Sequence, residues 1–290
     1  MKKRLLTLSL ASLLVIGSLT GCGGQKVTAQ SLLDGAYGNE KIESVDMDIA
    51  LNVDVDVDTS NFLGETDTES VDEIDPNMQV YPTESTPMNF KIALDANAKA
   101  NEKVAYIDGN VDLNLFGFSQ KIPTKSYSDL DNNVIYTYNE NSDSWTKTEN
   151  KSSKIDFEKI NTKLSNDVFE DLKLEDSKKD DSVYTVTGTI SMDKLKDLYG
   201  DVADDILDTE SDTLDMSKMK FDVKMTFDKD SKLIKSMDYT IDSSSLDSDQ
   251  YTINDFSISI VFNQFNGVNV SIPDDVVNNA TDSLDSEDFE

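Results

Sequence analysis

From Val45 to Val57 the chain alternates without a break: Val45, Met47, Ile49, Leu51, Val53, Val55 and Val57 are interleaved with Asp46, Asp48, Ala50, Asn52, Asp54 and Asp56, and Asp58 follows. A period of two sends alternate side chains to opposite faces of a strand, so the run predicts a strand buried on one side and wet on the other. At roughly 3.3 Å per residue it is about 45 Å long. Strands usually hold 3–10 residues, roughly, so one of this length is expected to curve around something.

The same pattern recurs. Phe90, Ile92, Leu94, Ala96 and Ala98 alternate with polar residues, and Asn101-Glu102 offers a turn. Val104 and Tyr106 begin a further strand whose apolar set changes parity at Val111, Leu113 and Leu115, which predicts a β-bulge at Gly109. Strands near 122–129, 133–139 and 144–148 follow, separated by Asp131-Asn132-Asn133 and Asn141-Ser142-Asp143, completing an antiparallel meander. Strands are also expected at 183–190, at Phe221, Val223, Met225 and Phe227, from Leu233 to Ile241, and at Phe256, Ile258, Ile260 and Phe262, with Val270 to Asp274 closing the fold.

Three stretches read as helices. Thr28 is placed to cap one running to about Tyr37, with Leu32, Leu33 and Ala36 on its apolar side. Phe157, Ile160, Leu164, Val168 and Leu172 keep a helical period, and Asp193 opens another with Leu195, Leu198, Tyr199, Val202 and Ile206. The expected class is therefore α+β: a curved antiparallel sheet with helices covering its apolar face.

The N-terminus carries an address. Lys2, Lys3 and Arg4 precede an apolar run from Leu5 to Leu19, in the order of a secretory signal. Leu19, Thr20 and Gly21 lead into Cys22, the only cysteine. This Leu-Thr-Gly-Cys run resembles the lipobox of bacterial lipoproteins. The resemblance implies a diacylglyceryl group on the Cys22 sulfur, removal of residues 1–21, and a mature protein tethered through 22–27 to the extracytoplasmic side of the cell membrane. The apolar run is shorter than the roughly 20 residues a spanning helix needs. A lone cysteine also leaves the body without an internal disulfide.

Charge narrows the partners. The chain carries 57 acidic and 26 basic residues, a net charge of -31. Without residues 1–21 about 23 basic residues remain and the net charge is about -34. Nucleic-acid phosphate and anionic headgroups repel such a body. Nucleic acid is set aside, and membrane residence falls to the anchor. Residues 59–88 and 274–290 hold acidic side chains and no basic ones, and read as an acidic mobile insert and an acidic tail.

A lipobox, a short helix and the stretch Lys41–Val55 together resemble the LolA/LppX-like lipoproteins of bacterial envelopes. The hairpin Lys220–Ile241 and the closing Val270–Val276 resemble that group too. The likeness spans most of 28–277, which reads as one domain, with 278–290 as the tail. It implies a half-open antiparallel barrel closed by helices around an apolar cavity, and a non-enzymatic role in binding or carrying a lipid or other apolar ligand. Candidate lining residues are Met47, Ile49, Leu51, Ile92, Leu94, Phe221, Val223, Met225, Ile258 and Ile260. A packed core gives the same pattern, so a surface-displayed interaction lipoprotein with acidic, partner- or calcium-binding loops stands as the second reading.

Other chemistry finds little support. There is no histidine, hence no Ser-His-Asp triad and no usual zinc ligand set. Ser-x-x-Lys occurs at Ser144, Ser191 and Ser217 without a Lys-Thr-Gly partner. Asp129, Asp131 and Asn133 share part of the calcium-loop spacing, but Val134 stands where that loop needs glycine, and a hairpin turn explains them. No catalytic residue, cofactor or metal is expected. Trp145, Tyr136, Tyr138, Phe116 and Phe118 read as core or sheet-edge aromatics, or as a cavity rim.

Overall fold

The long alternating run forms β1 (Ser44–Val57), and it lies at the centre of a 12-stranded sheet. The computed structural model describes residues 27–36, 42–57, 88–115, 117–149, 168–175, 182–191, 194, 219–241 and 251–282. The expected signal sequence with Leu19, Thr20, Gly21 and Cys22, nearly all of the 59–88 insert, and most of the two stretches expected as central helices lie outside these residues.

β2 (Met88–Asn101), β3 (Val104–Leu115), β4 (Phe118–Asp129), β5 (Val134–Asn139) and β6 (Ser144–Glu149) form the expected meander. A second meander comprises β7 (Glu170–Glu175), β8 (Val183–Ser191), β9 (Lys220–Asp228), β10 (Ile234–Ile241) and β11 (Tyr251–Phe265). They join where β1 pairs β11, giving the order β12-β6-β5-β4-β3-β2-β1-β11-β10-β9-β8-β7. All pairings are antiparallel except that of β12 (Thr281–Asp282) with β6. The edges β12 and β7 do not pair, so the sheet is curved and open, as the α+β expectation has it.

Helix α1 (Ala29–Ala36) starts where expected. The Ser31 amide donates to Thr28 Oγ1 at 3.0 Å and the Thr28 amide to Ser31 Oγ at 2.8 Å, a reciprocal cap. Its Leu32 and Leu33 are buried in the sheet's apolar cluster.

Four points differ from the sequence expectation or add to it. First, β3 runs through Gly109 in unbroken register with β2 and β4, without a bulge. The inward set is Ala105, Ile107, Gly109, Val111, and Val104 and Tyr106 belong to the other face. A Cβ at Gly109 would lie 2.3 Å from Asp95 O and 2.4 Å from Ala96 Cβ, so glycine serves close strand approach there. Second, register shifts fall in the β7/β8 and β9/β10 pairings and, at Asp46/Met47 and Asp54/Val55, in β1/β11. The two in β1/β11 each absorb a spacing of three, which brings Ile253 and Phe265 onto the face of Phe256 and Phe262. Third, Leu172 lies in β7 and alternates with Leu174, whereas a helix was expected to reach it. Fourth, residues 274–282 do not form a tail. They carry α2 (Asp274–Asn279) and β12, and Val276 is 2% exposed.

The segment after β11 is tied back to the strand ends. Asn266 and Gly267 adopt φ of 58° and 70°, which reverses the chain. The Val268 amide donates to Ser44 Oγ at 3.0 Å, and Asn101 Nδ2 donates to the Val270 carbonyl at 2.9 Å.

Candidate ligand-binding face

One face of the sheet, here the inner face, is apolar from β8 to β3. Cross-strand register places the residues of β1 against those of β2 and β11: Met47 against Ala98 and Phe262, Ile49 against Ala96 and Ile260, Leu51 against Leu94 and Ile258. Met225 faces Met237 on β10, and Val223 faces Tyr239. All ten candidate lining residues lie on this face.

They do not share one environment. Met47, Ile49, Leu94, Phe221, Val223, Met225 and Ile260 are buried in a continuous apolar cluster with Leu32, Leu33, Val186, Phe227 and Met237. Leu51, Ile92 and Ile258 are half-buried. These three belong to the far half of the strands, where Val53, Val55, Phe90, Val111, Leu113, Ile122, Ile253 and Phe256 are half-buried as well. Beyond them Phe118, at the tip of the β3–β4 hairpin, is 82% exposed. Of these, sequence alone marks Phe118 as a core, edge or rim aromatic and does not place the others among the lining candidates, although the same alternation carries most of them. At the other end of the same strands Ala96, Ala98, Ala100, Ala105, Ser126 and Ser128 are all buried. These small side chains of β2–β4 lie beside the buried Val45, Met47, Ile49 and Ile107, whereas the far half holds large apolar side chains that stay half-open.

The outer face is polar and largely satisfied. Asn97 and Asn263, from β2 and β11, each donate through Nδ2 to both Asp46 and Asp48. Asn89 and Asn254 do the same for Asp54 and Asp56 one long step along β1. Lys99 pairs with Asp46 at 3.3 Å and Lys91 with Asp54 at 2.5 Å. Burial works against ionisation of Asp46, but the bonds from Asn97, Asn263 and Lys99 outweigh it and lower its pKa. Asp54 is lowered by Lys91 first and Asn89 second, and Asp56 by Asn254 and Asn89. An asparagine amide has two protons and here spends one on each carboxylate, so the aspartates are not free ligands for an ion. Among the described residues no three acidic or thiol side chains converge as a metal site would require.

A groove of about 560 Å³ lies on the outer face of β7–β10, lined by Asp171, Lys173, Thr187, Asp222, Lys224 and Asp238 among others. It is polar, and Val223 alone of the ten candidates borders it. Asp129 accepts from the Asn132 amide and side chain, with Asn133 at φ 55°, so the partial calcium spacing forms the β4–β5 turn. Trp145 sits in β6 on the outer face, between Tyr127 and Tyr138.

A family model described as a family of unknown function (DUF6612) matches residues 32–281, from α1 into β12. No curated protein matches the chain. Among solved structures the chain is similar to LprF from Mycobacterium bovis, with 13% identity, 84% of this chain and 95% of that chain covered, and a TM-score of 0.43.

Proposed function

Because the chain belongs to this family of unknown function (DUF6612), we propose its task from its own geometry: it is a membrane-anchored, non-enzymatic envelope lipoprotein that holds a lipid or other apolar ligand against the inner face. The observation that carries this is the far half of β1–β4 and β11. Large aliphatic and aromatic side chains line up there on one face and stay half-buried, next to a core that is otherwise shut. Apolar surface of that kind is stabilised by an acyl chain at about 25 cal/mol per Å² removed from water. Leu51, Ile92 and Ile258 belong to this region, and the other seven candidates lie in the closed core next to it.

Anchoring rests on Cys22. The body's negative charge opposes adsorption to anionic lipid, and two acyl chains on one sulfur hold a protein where one is marginal. Mass spectrometry of the membrane fraction is expected to find a diacylglyceryl thioether on Cys22, and Cys22→Ser is expected to release a folded protein. A Cys22→Ser chain that stays with membranes removes this part.

The ligand reading is tested by native mass spectrometry of protein extracted from membranes, together with transfer of a fluorescent phospholipid between vesicles. Co-purified lipid and saturable transfer support it. Absence of both favours the second reading, a displayed interaction protein with a filled core. That reading has its own support in the near-complete burial of Met47, Ile49, Val223, Met225 and Ile260.

A further inference from the structure

The outer face of β3–β6 holds a feature that ligand carriage leaves unused. Register pairs Tyr106 with Tyr127 and Tyr138 with Trp145, all pointing away from the core. Ring centroids are 4.6 Å apart for Tyr106 and Tyr127, 5.5 Å for Tyr127 and Trp145, and 5.2 Å for Trp145 and Tyr138. The four rings make a row at most about 15 Å long, mutually tilted by 31–52°. Tyr136 beside them is buried, but these four remain half-exposed on a face otherwise made mostly of polar and charged residues.

Each end of the row closes on a carboxylate. The Tyr106 hydroxyl donates to Asp108 at 2.7 Å and the Tyr138 hydroxyl to Asp143 at 2.5 Å. Glu140 and Asp275 add their fields at Tyr138 and Tyr127. Burial first, then Asp108, raises Tyr106 above the ordinary phenol value, and the Asp143 bond does so for Tyr138. The hydroxyls therefore stay protonated and keep the carboxylates in place. The nearby cations are engaged within the chain: Lys147 with Asp282 at 3.4 Å and Lys99 with Asp46 at 3.3 Å. Lys125 Nζ stands 5.9 Å from the centre of the Tyr138 ring, so the row already carries one cation on an aromatic face.

We propose that the row Tyr106, Tyr127, Trp145 and Tyr138 is a docking surface for a basic segment, bearing arginine or lysine, of a partner protein. Aromatic faces attract cations, and a guanidinium stacks on them while its protons reach a neighbouring carboxylate. Tyr and Trp are the side chains in which interfaces concentrate their energy. The flanking carboxylates and the net charge of -31 steer a basic partner and repel an acidic one. An extended segment repeats its same-side residues every roughly 6.7 Å, so basic residues at three alternate positions span the row. This surface is on the face opposite the lipid-facing one and stands whether or not that face carries lipid.

Trp145 is the chain's single tryptophan, so its emission reports this surface alone. The full mature chain in detergent is titrated with an alternating Arg-Ser hexapeptide, its Glu-Ser counterpart and a neutral β-linked hexasaccharide. Saturable change with the arginine peptide, and protection of Trp145 from acrylamide, are expected. Binding is expected to weaken at least about tenfold in Asp108→Asn/Asp143→Asn, which keeps partners for both hydroxyls, while the melting temperature holds. No response to the arginine peptide, an equal response to the glutamate peptide, a response to the saccharide alone, or unchanged binding in the double variant each overturns the proposal.

Discussion

The two ends of β1–β4 face the same side of one sheet and differ in how far they are shut. At the end near Ser44, Asn101 and Asp129 the inner face combines Val45, Met47, Ile49 and Ile107 with the small Ala96, Ala98, Ala100, Ala105, Ser126 and Ser128, and all are shut from solvent. At the end near Val57, Met88 and Phe118 it is valine, leucine, isoleucine and phenylalanine, and these are half-open. Buried alanine is ordinary in a core, and the informative feature is a patch of large apolar side chains left partly open. Here β2–β4 place mainly alanine and serine at the closed end, β1 adds Val45, Met47 and Ile49 there, and the half-open end is large and apolar throughout. The contrast is therefore one of cover: the same strands are shut at one end and leave bulky apolar side chains partly open at the other.

That contrast breaks or sharpens under mutation. The largest effect is expected from Met47→Ala at the closed end of β1, a loss of about 2–5 kcal/mol read from urea unfolding. Val55→Ala at the open end of the same strand is expected to cost under about 1 kcal/mol. Equal losses would mean that the two ends are one packed core. Gly109→Ala, where the halves meet, comes next. Its methyl meets backbone in β2 rather than a movable side chain, and about 1–3 kcal/mol is expected, seen as a lower melting temperature. Leu113→Asp at the open end is expected to leave the melting temperature within a few degrees but to abolish lipid co-purification. Retained lipid would show that this half is not the ligand's seat.

The smallest effect concerns the opposite face. Asp46, Asp54 and Asp56 have pKa values lowered in the fold, so their contribution to stability is present above the unfolded value of about 3.9 and is lost as pH falls through the folded values. Asn89→Ala/Asn254→Ala removes the donors to Asp54 and Asp56. The difference in melting temperature between this variant and the parent is expected to be small at pH 7 and to shrink as the pH falls below the unfolded value and through the folded ones. A difference that persists in acid would mean that the asparagines act by packing.

Much of this face was legible because β1, β2 and β9 advertise it by strict alternation. Alternation also misled where it failed locally. Ile253 and Phe265 stand three residues from Phe256 and Phe262, out of phase, and only slips against β1 bring them onto the face. At Gly109 an apparent change of phase is no slip at all, because Val104 and Tyr106 are apolar-looking residues of the outer face. Leu172 fits a helical period and a strand period equally, and pairing with β8 decides it. The aromatic row was invisible as a unit. Each ring was in view, but their neighbourhood is made by pairing among β3, β4, β5 and β6. The Asp and Asn clusters have the same origin, with asparagines more than 30 residues from the aspartates they serve.

The pairing of β1 with β11 has a kinetic consequence. It joins the first strand to the last long one, with the Glu43 amide on Asn266 Oδ1 across 223 residues, and it lies at the middle of the sheet. Contacts so distant in sequence close slowly, because the intervening chain loses freedom before they form. A chain delivered N-terminus first therefore holds β1 with one edge bare until β11 arrives. That edge is long, alternating and rich in valine, the kind that pairs with strangers. Its Asp46, Asp48, Asp54 and Asp56 then have only their β2 partners, and their charges guard the waiting edge against self-association until Asn254 and Asn263 of β11 reach them.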